Sequence, residues 1–317
     1  MTTPLAAVSR GRRLANLVGL AFLVVVAVEF ALRLVGALLS LDVERRFAAS
    51  GEADAPYTII CVGDSWTAGR ADGRYPQMLE ERLNGLHLGR QFRVINLGQS
   101  GTNSSQALRT LATRVDKQHV DLVIVMTGNN DHWNLADSAY WQFRRGEQGR
   151  ADIVAAQARI FVHSLRVYKL GLVLKQILFG GATPNEFFYG GSDDSGRSVP
   201  PPIVAIDRET HHRLLEYNLT KFVELAKLRG FRLVFQTYFH FHGYDVNEII
   251  RNVARSFDIP VVENNFLFHE KVAVADRGEF LVADGHPNPH GYAFIVDNVI
   301  DTMVAAGMLQ ISTRIDH

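Results

Sequence analysis

Hydrophobic and polar positions divide the chain into three regimes. The first is one long apolar run, Leu14 to Val28, which continues through Glu29 and Arg33 to Leu39. A helix crossing a bilayer needs about 20 apolar residues, a length this run reaches if Glu29 and Arg33 are tolerated near one edge. They stand four apart, so on a helix they share a face and can pair, and long side chains near a boundary reach toward headgroups. The pattern predicts a transmembrane anchor over 14–39, a cytoplasmic segment over 1–13, and a polar tether over 40–56. A cleaved signal peptide is the competing reading, but the run is long for one and no convincing small-x-small site precedes Asp42. Arg10, Arg12 and Arg13 flank the start of the span, which argues for a cytoplasmic N-terminus and an outward-facing remainder.

The second regime alternates strand and helix signals. Tyr57–Val62, Phe92–Leu97 and Asp121–Met126 read as strands, separated by helices over Tyr75–Leu86 and Ser104–Val115. The middle of the third strand, Leu122-Val123-Ile124-Val125, is apolar on both faces, as a strand covered on both sides must be. The rhythm resumes with a helix over His211–Leu228 stopped by Gly230, a strand over Arg232–Thr237 and a helix over Val246–Phe257. A short strand over Ile259–Val262 and a last helix over Gly291–Ala305 complete it. Right-handed crossovers then give a parallel α/β sheet with helices on both sides. The third regime, 132–206, interrupts this rhythm as an insertion within a domain spanning 57–310. It contains an aromatic cluster, a helical stretch over Ile160–Leu178, and a Gly, Ser and Pro-rich segment expected to be a surface loop.

Charge changes little in this picture. Lys plus Arg and Asp plus Glu both number 33, so nothing points to nucleic acid as a partner. The single cysteine, Cys61, sits inside an apolar strand and excludes both an intramolecular disulfide and a cysteine metal site.

The chemistry gathers at the strand ends, where ligands of open α/β sheets bind. After the first strand comes Gly63-Asp64-Ser65-Trp66-Thr67, and after the second Gly98-Gln99-Ser100-Gly101-Thr102-Asn103. After the third comes Gly128-Asn129-Asn130-Asp131, and near the C-terminus Asp284-Gly285-His286-Pro287-Asn288. Ser65 alone could simply cap a helix. Acyl transfer needs a hydroxyl nucleophile, a base, a group that orients the base, and donors for an oxyanion. Ser65, His286 and Asp284 supply the first three, and the N–H groups of Ser65 and Gly101 with the Asn130 amide supply the last.

At these blocks the sequence resembles the SGNH (GDSL-like) hydrolase superfamily. The resemblance places the nucleophile at Ser65, oxyanion donors at Ser65, Gly101 and Asn130, and the base at His286. It implies a three-layer α/β/α flavodoxin-like fold and ester chemistry without metal or other cofactor. Glu29…Leu32-Arg33 is similar to a pattern ending the anchor of membrane-bound bacterial members, which implies a single-pass inner-membrane protein with a periplasmic catalytic domain. One departure stands out: the family's acidic residue lies three positions before the histidine, where this chain has Ala283, while Asp284 is two before. Either Asp284 or a backbone carbonyl then orients the ring.

Trp66, Asn129 and Trp133 border these blocks and are candidates for contact with substrate, although aromatic residues here could equally pack the insertion. His240 and His242, with Asp245, form a weak metal-ligand pattern better read as loop packing or substrate contact. Three functions fit the residues. The first is an ester hydrolase removing an O-acyl group, such as acetyl, from an extracytoplasmic small molecule, lipid or carbohydrate. The others are an O-acyltransferase acting on a surface polysaccharide, and a carbohydrate-binding subunit without catalysis.

Overall fold

A computed structural model of the chain describes residues 10–48, 56–132, 134–135, 137–143, 158, 161–162, 165–179, 206–239 and 245–309. The chain forms two compact units, one of Met1–Ala49 with Phe161–Gly181, the other of Ser50–Ile160 with Ala182–His317.

In the smaller unit, α1 (Arg10–Ala48) is one helix of 39 residues, running on past Leu39 into the expected tether. Its stretch Ala15–Val35 has a mean hydropathy of 2.4 and is long and apolar enough to cross a membrane. Arg33 donates to Glu29 at 2.7 Å, the pairing expected from their spacing. A helix from the insertion, α6 (Arg166–Phe179), preceded in the chain by the short α5 (Tyr140–Phe143), belongs to this unit and packs on α1.

The larger unit holds five parallel strands in the order β2-β1-β3-β4-β5. They are β1 (Tyr57–Gly63), β2 (Phe92–Asn96), β3 (Leu122–Met126), β4 (Arg232–Gln236) and β5 (Val261–Val262). Every residue of β3 is buried, as its apolar run requires. β1 pairs with β2 on one side and β3 on the other, Ile59 standing opposite both Val94 and Leu122. The strand order therefore reverses at β1 and β3, where their tips open a crevice.

Five long helices flank the sheet: α3 (Tyr75–Gly85), α4 (Ser104–Val115), α7 (Arg208–Arg229), α8 (Val246–Phe257) and α10 (Pro289–Ala305). α3 packs on α10, while α4 and α8 pack on α7. That grouping is what right-handed crossovers produce when the first connection runs one way along the sheet and later ones the other. The result is the expected three-layer arrangement.

Local chemistry sets the helix ends. Asp207 accepts from Thr210 N at 2.8 Å to start α7, and Gly230 in the left-handed conformation stops it. α8 buries Val246, Ile249, Ile250 and Val253, one face at 3.6-residue spacing. β5 is shorter than Ile259–Val262, and two pieces between it and the last helix had no distinct sequence signal. They are α9 (Asn264–Lys271) and a 3-10 turn over Val274–Glu279.

Candidate active site

The end of β1 turns directly into a single helical turn, α2 (Ser65–Ala68), which Asp64 caps by accepting from Trp66 N at 3.0 Å. This turn presents Ser65 at the tip of the sheet, partly exposed, while Asp64 beside it is fully buried. Across the crevice, the turn before α10 brings in His286. Ser65 Oγ lies 2.7 Å from His286 Nε2, joining residues 221 positions apart in the chain.

The other ring nitrogen, His286 Nδ1, lies 3.0 Å from Asp284 Oδ1. The same oxygen accepts the backbone N–H of His286 at 3.1 Å, so the carboxylate folds back over its own turn. Gly285 stands between them with φ of 82°, a conformation that L side chains rarely adopt. This turn explains how an acid two positions before the histidine reaches the ring. Arg70 Nη1 stands 3.9 Å from the second carboxylate oxygen of Asp284.

The loops after β2 and β3 are laced together. Asn103 caps α4 and forms a reciprocal box with Gln106, while its amide donates to Asn134 O at 2.7 Å. Asn134 Nδ2 donates to Gly101 O at 2.6 Å, and Asn130 Nδ2 donates to Thr102 O at 3.0 Å. Gly101 adopts φ of 73°, which a side chain would strain. Beneath them, the Asp131 carboxylate accepts the N–H of Ser104 at 3.1 Å and the Ser104 hydroxyl, to which Asn218 donates in turn at 2.7 Å. Gly101 and Asn130 therefore stand on one cross-braced platform.

Burial perturbs the acids under this platform. It raises the Asp131 carboxyl to about 7, although hydrogen bonds from Ser104 pull the other way. It raises Asp64 to about 6 against donors from Tyr238 and Trp66. Burial also lowers the nearby His211 to about 3, keeping its ring neutral.

Trp66 does not present a face to a ligand. The residue is 3% exposed, and its ring packs edge-on against Tyr238 and Phe239, centroids 5.3 and 5.4 Å away, with His286 at 6.3 Å. A side chain next to the nucleophile on a single helical turn must point somewhere, and here the apolar layer under the imidazole takes it. Asn129 is partly exposed at the β3 tip. Trp133, His240, His242 and the Gly-rich part of the insertion lie outside the described residues. Sequence reasoning missed Tyr238, whose hydroxyl reaches Asp64 from the β4 tip; its only signal was a tyrosine just past a strand end.

A cavity of about 660 Å³ lies elsewhere, lined by Tyr57, Arg90, Asp121 and Arg232 among others. Tyr57 and Arg232 open β1 and β4, so it marks the opposite end of the strands from Ser65.

A hydroxyl hydrogen-bonded to an imidazole that a carboxylate holds on its far side is an arrangement able to generate an alkoxide. The sheet order and this site define a hydrolase of the α/β/α type. The profile of the GDSL-like Lipase/Acylhydrolase family matches residues 61–294, and the chain belongs to that family. Among solved structures it is similar to a lipase/acylhydrolase from Enterococcus faecalis, with 16% identity, TM-score 0.47, and coverage of 81% of this chain and 98% of that one. An acetyl xylan esterase from Geobacillus stearothermophilus is similar at 16% identity, TM-score 0.46, and coverage of 78% and 94%. TesA is similar at 18% identity, TM-score 0.45, and coverage of 78% and 97%. No curated protein gives a significant match.

Proposed function

We propose that this esterase cleaves an O-acyl group from an extracytoplasmic substrate through an acyl-enzyme on Ser65. The observation that carries this reading is the 2.7 Å contact between Ser65 Oγ and His286 Nε2, backed by Asp284 at 3.0 Å on the other nitrogen. Nε2 takes the hydroxyl proton as Oγ bonds to the ester carbonyl carbon. The oxyanion lies among the N–H groups of Ser65 and Gly101 and the Asn130 amide. Collapse breaks the bond to the alcohol, which leaves with the proton from Nε2; water then repeats the sequence and restores Ser65. Asp284 holds the ring with its proton on Nδ1 and stabilises the imidazolium.

The location rests on α1. Three arginines, Arg10, Arg12 and Arg13, precede the apolar stretch and two, Arg45 and Arg46, follow it, a bias that favours a cytoplasmic N-terminus. Ser65 is partly exposed at the tip of β1, a position that supports a substrate such as an acylated carbohydrate or lipid.

Intact-mass measurement with an activated acetyl ester tests the covalent step. A single acetyl adduct should form on the parent and be absent from Ser65→Ala; an adduct that persists in Ser65→Ala would overturn the assignment.

A further inference from the structure

The insertion helix α6 carries an unusual surface. Leu170, Leu174 and Leu178 are 36%, 46% and 71% exposed, and their spacing of four puts them on one helix face. Phe161 and Val162, just before the helix, are 64% and 39% exposed. A row of this kind left to water would be costly and a liability to aggregation.

The helix's attachment bears on what covers the row. Val167 N donates to Glu29 Oε2 at 2.9 Å, and the Arg166 guanidinium donates to the carbonyl of Leu32. Both acceptors lie within the apolar stretch Ala15–Val35. At about 1.5 Å per residue, they sit roughly 5–9 Å inside its C-terminal end. Glu29 is mostly covered, its side chain 14% exposed, with Arg33 on one oxygen and the α6 backbone on the other. A carboxylate at that depth needs such partners, since hydrocarbon offers none. The start of α6 is thereby held at the level of an apolar surface that runs on along α1, where Phe22, Val26 and Phe30 are 67%, 48% and 69% exposed.

We propose that α6 is seated in the bilayer beside α1, with Leu170, Leu174 and Leu178 covered by lipid acyl chains. The enzyme is then held to the membrane at two points far apart in sequence, the second lying inside the insertion that leaves the sheet just after Asn130. This rests on α1 being a membrane anchor, and the test separates the two ideas.

The full chain, with Cys61→Ala, is reconstituted into phospholipid vesicles after a polarity-sensitive fluorophore is attached to a single introduced cysteine. The positions are Leu174→Cys and Leu178→Cys on α6, Val24→Cys on α1 as lipid reference, and Glu224→Cys on the exposed face of α7 as water reference. Hydrolysis of a soluble ester by each labelled protein verifies folding. Nitroxides on the acyl chains should quench both α6 positions several-fold more than Glu224→Cys, approaching Val24→Cys. Quenching no greater than at Glu224→Cys, while Val24→Cys is strongly quenched, overturns the proposal and leaves the anchor intact. A blue-shifted but unquenched α6 label means that protein covers the row, which also overturns it. If Val24→Cys itself is unquenched, the anchor falls and this proposal with it.

Discussion

The hydroxyl of Tyr238 lies 2.7 Å from Asp64 Oδ2, linking the β4 tip to the residue immediately before the nucleophile. Both groups are fully buried, and the other carboxylate oxygen caps the turn that presents Ser65. The position of Oγ therefore depends on a hydrogen bond between residues 174 positions apart. Tyr238→Phe should destabilise the protein by about 1.5–3 kcal/mol, the usual loss for a hydrogen bond to a charged group. Asp64→Asn keeps a cap acceptor and should be milder. Denaturant unfolding checks both, and equal stability of Tyr238→Phe and the parent would sink the linkage.

Asp284→Asn tests the orienting role. If the carboxylate fixes the tautomer and stabilises the imidazolium, kcat should fall by about three to four orders of magnitude. Turnover within about threefold of the parent would instead mean that the backbone orients the ring and the carboxylate only shapes the turn.

Asn130→Ala removes one oxyanion donor and should lower kcat by roughly 10²–10³-fold with little change in KM. Because the same amide donates to Thr102 O, the loss must appear in a protein whose melting temperature shows it folded. A change confined to KM would remove Asn130 from the oxyanion site.

Buried acids give a stability profile with an uncommon sign. Asp131 is raised from 3.8 to about 7, so between these values the folded protein holds a proton that the unfolded chain releases. Its contribution is full below the lower value and lost as pH rises to the upper; Asp64 behaves alike up to about 6. His211, lowered from 6.5 to about 3, acts oppositely, contributing above its ordinary value and losing that contribution as pH falls. Each group changes stability by up to about 1.4 kcal/mol per pH unit inside its window. Between pH 5 and 7, Asp131→Asn should therefore lose less stability than the parent, as read by urea unfolding. Parallel profiles would show that Asp131 titrates normally.

The order of strands and helices was legible because each element records its own burial locally: β3 as an apolar run, α8 as an apolar face, α7 by its Asp207 and Gly230 stops. Ser65, Gly101, Asn130 and His286 stood out as candidates because each lies in a distinctive block and strand tips are where such a sheet gathers its ligands. What one residue sees of another far along the chain was not. Whether Asp284 reaches the imidazole depends on the turn at Gly285, where Trp66 points depends on Tyr238 and Phe239, and α6 is drawn to α1 by Glu29. Periodicity reports which side of an element is covered and says nothing of what covers it, because that is set by packing and by hydrogen bonds that close only when distant segments meet.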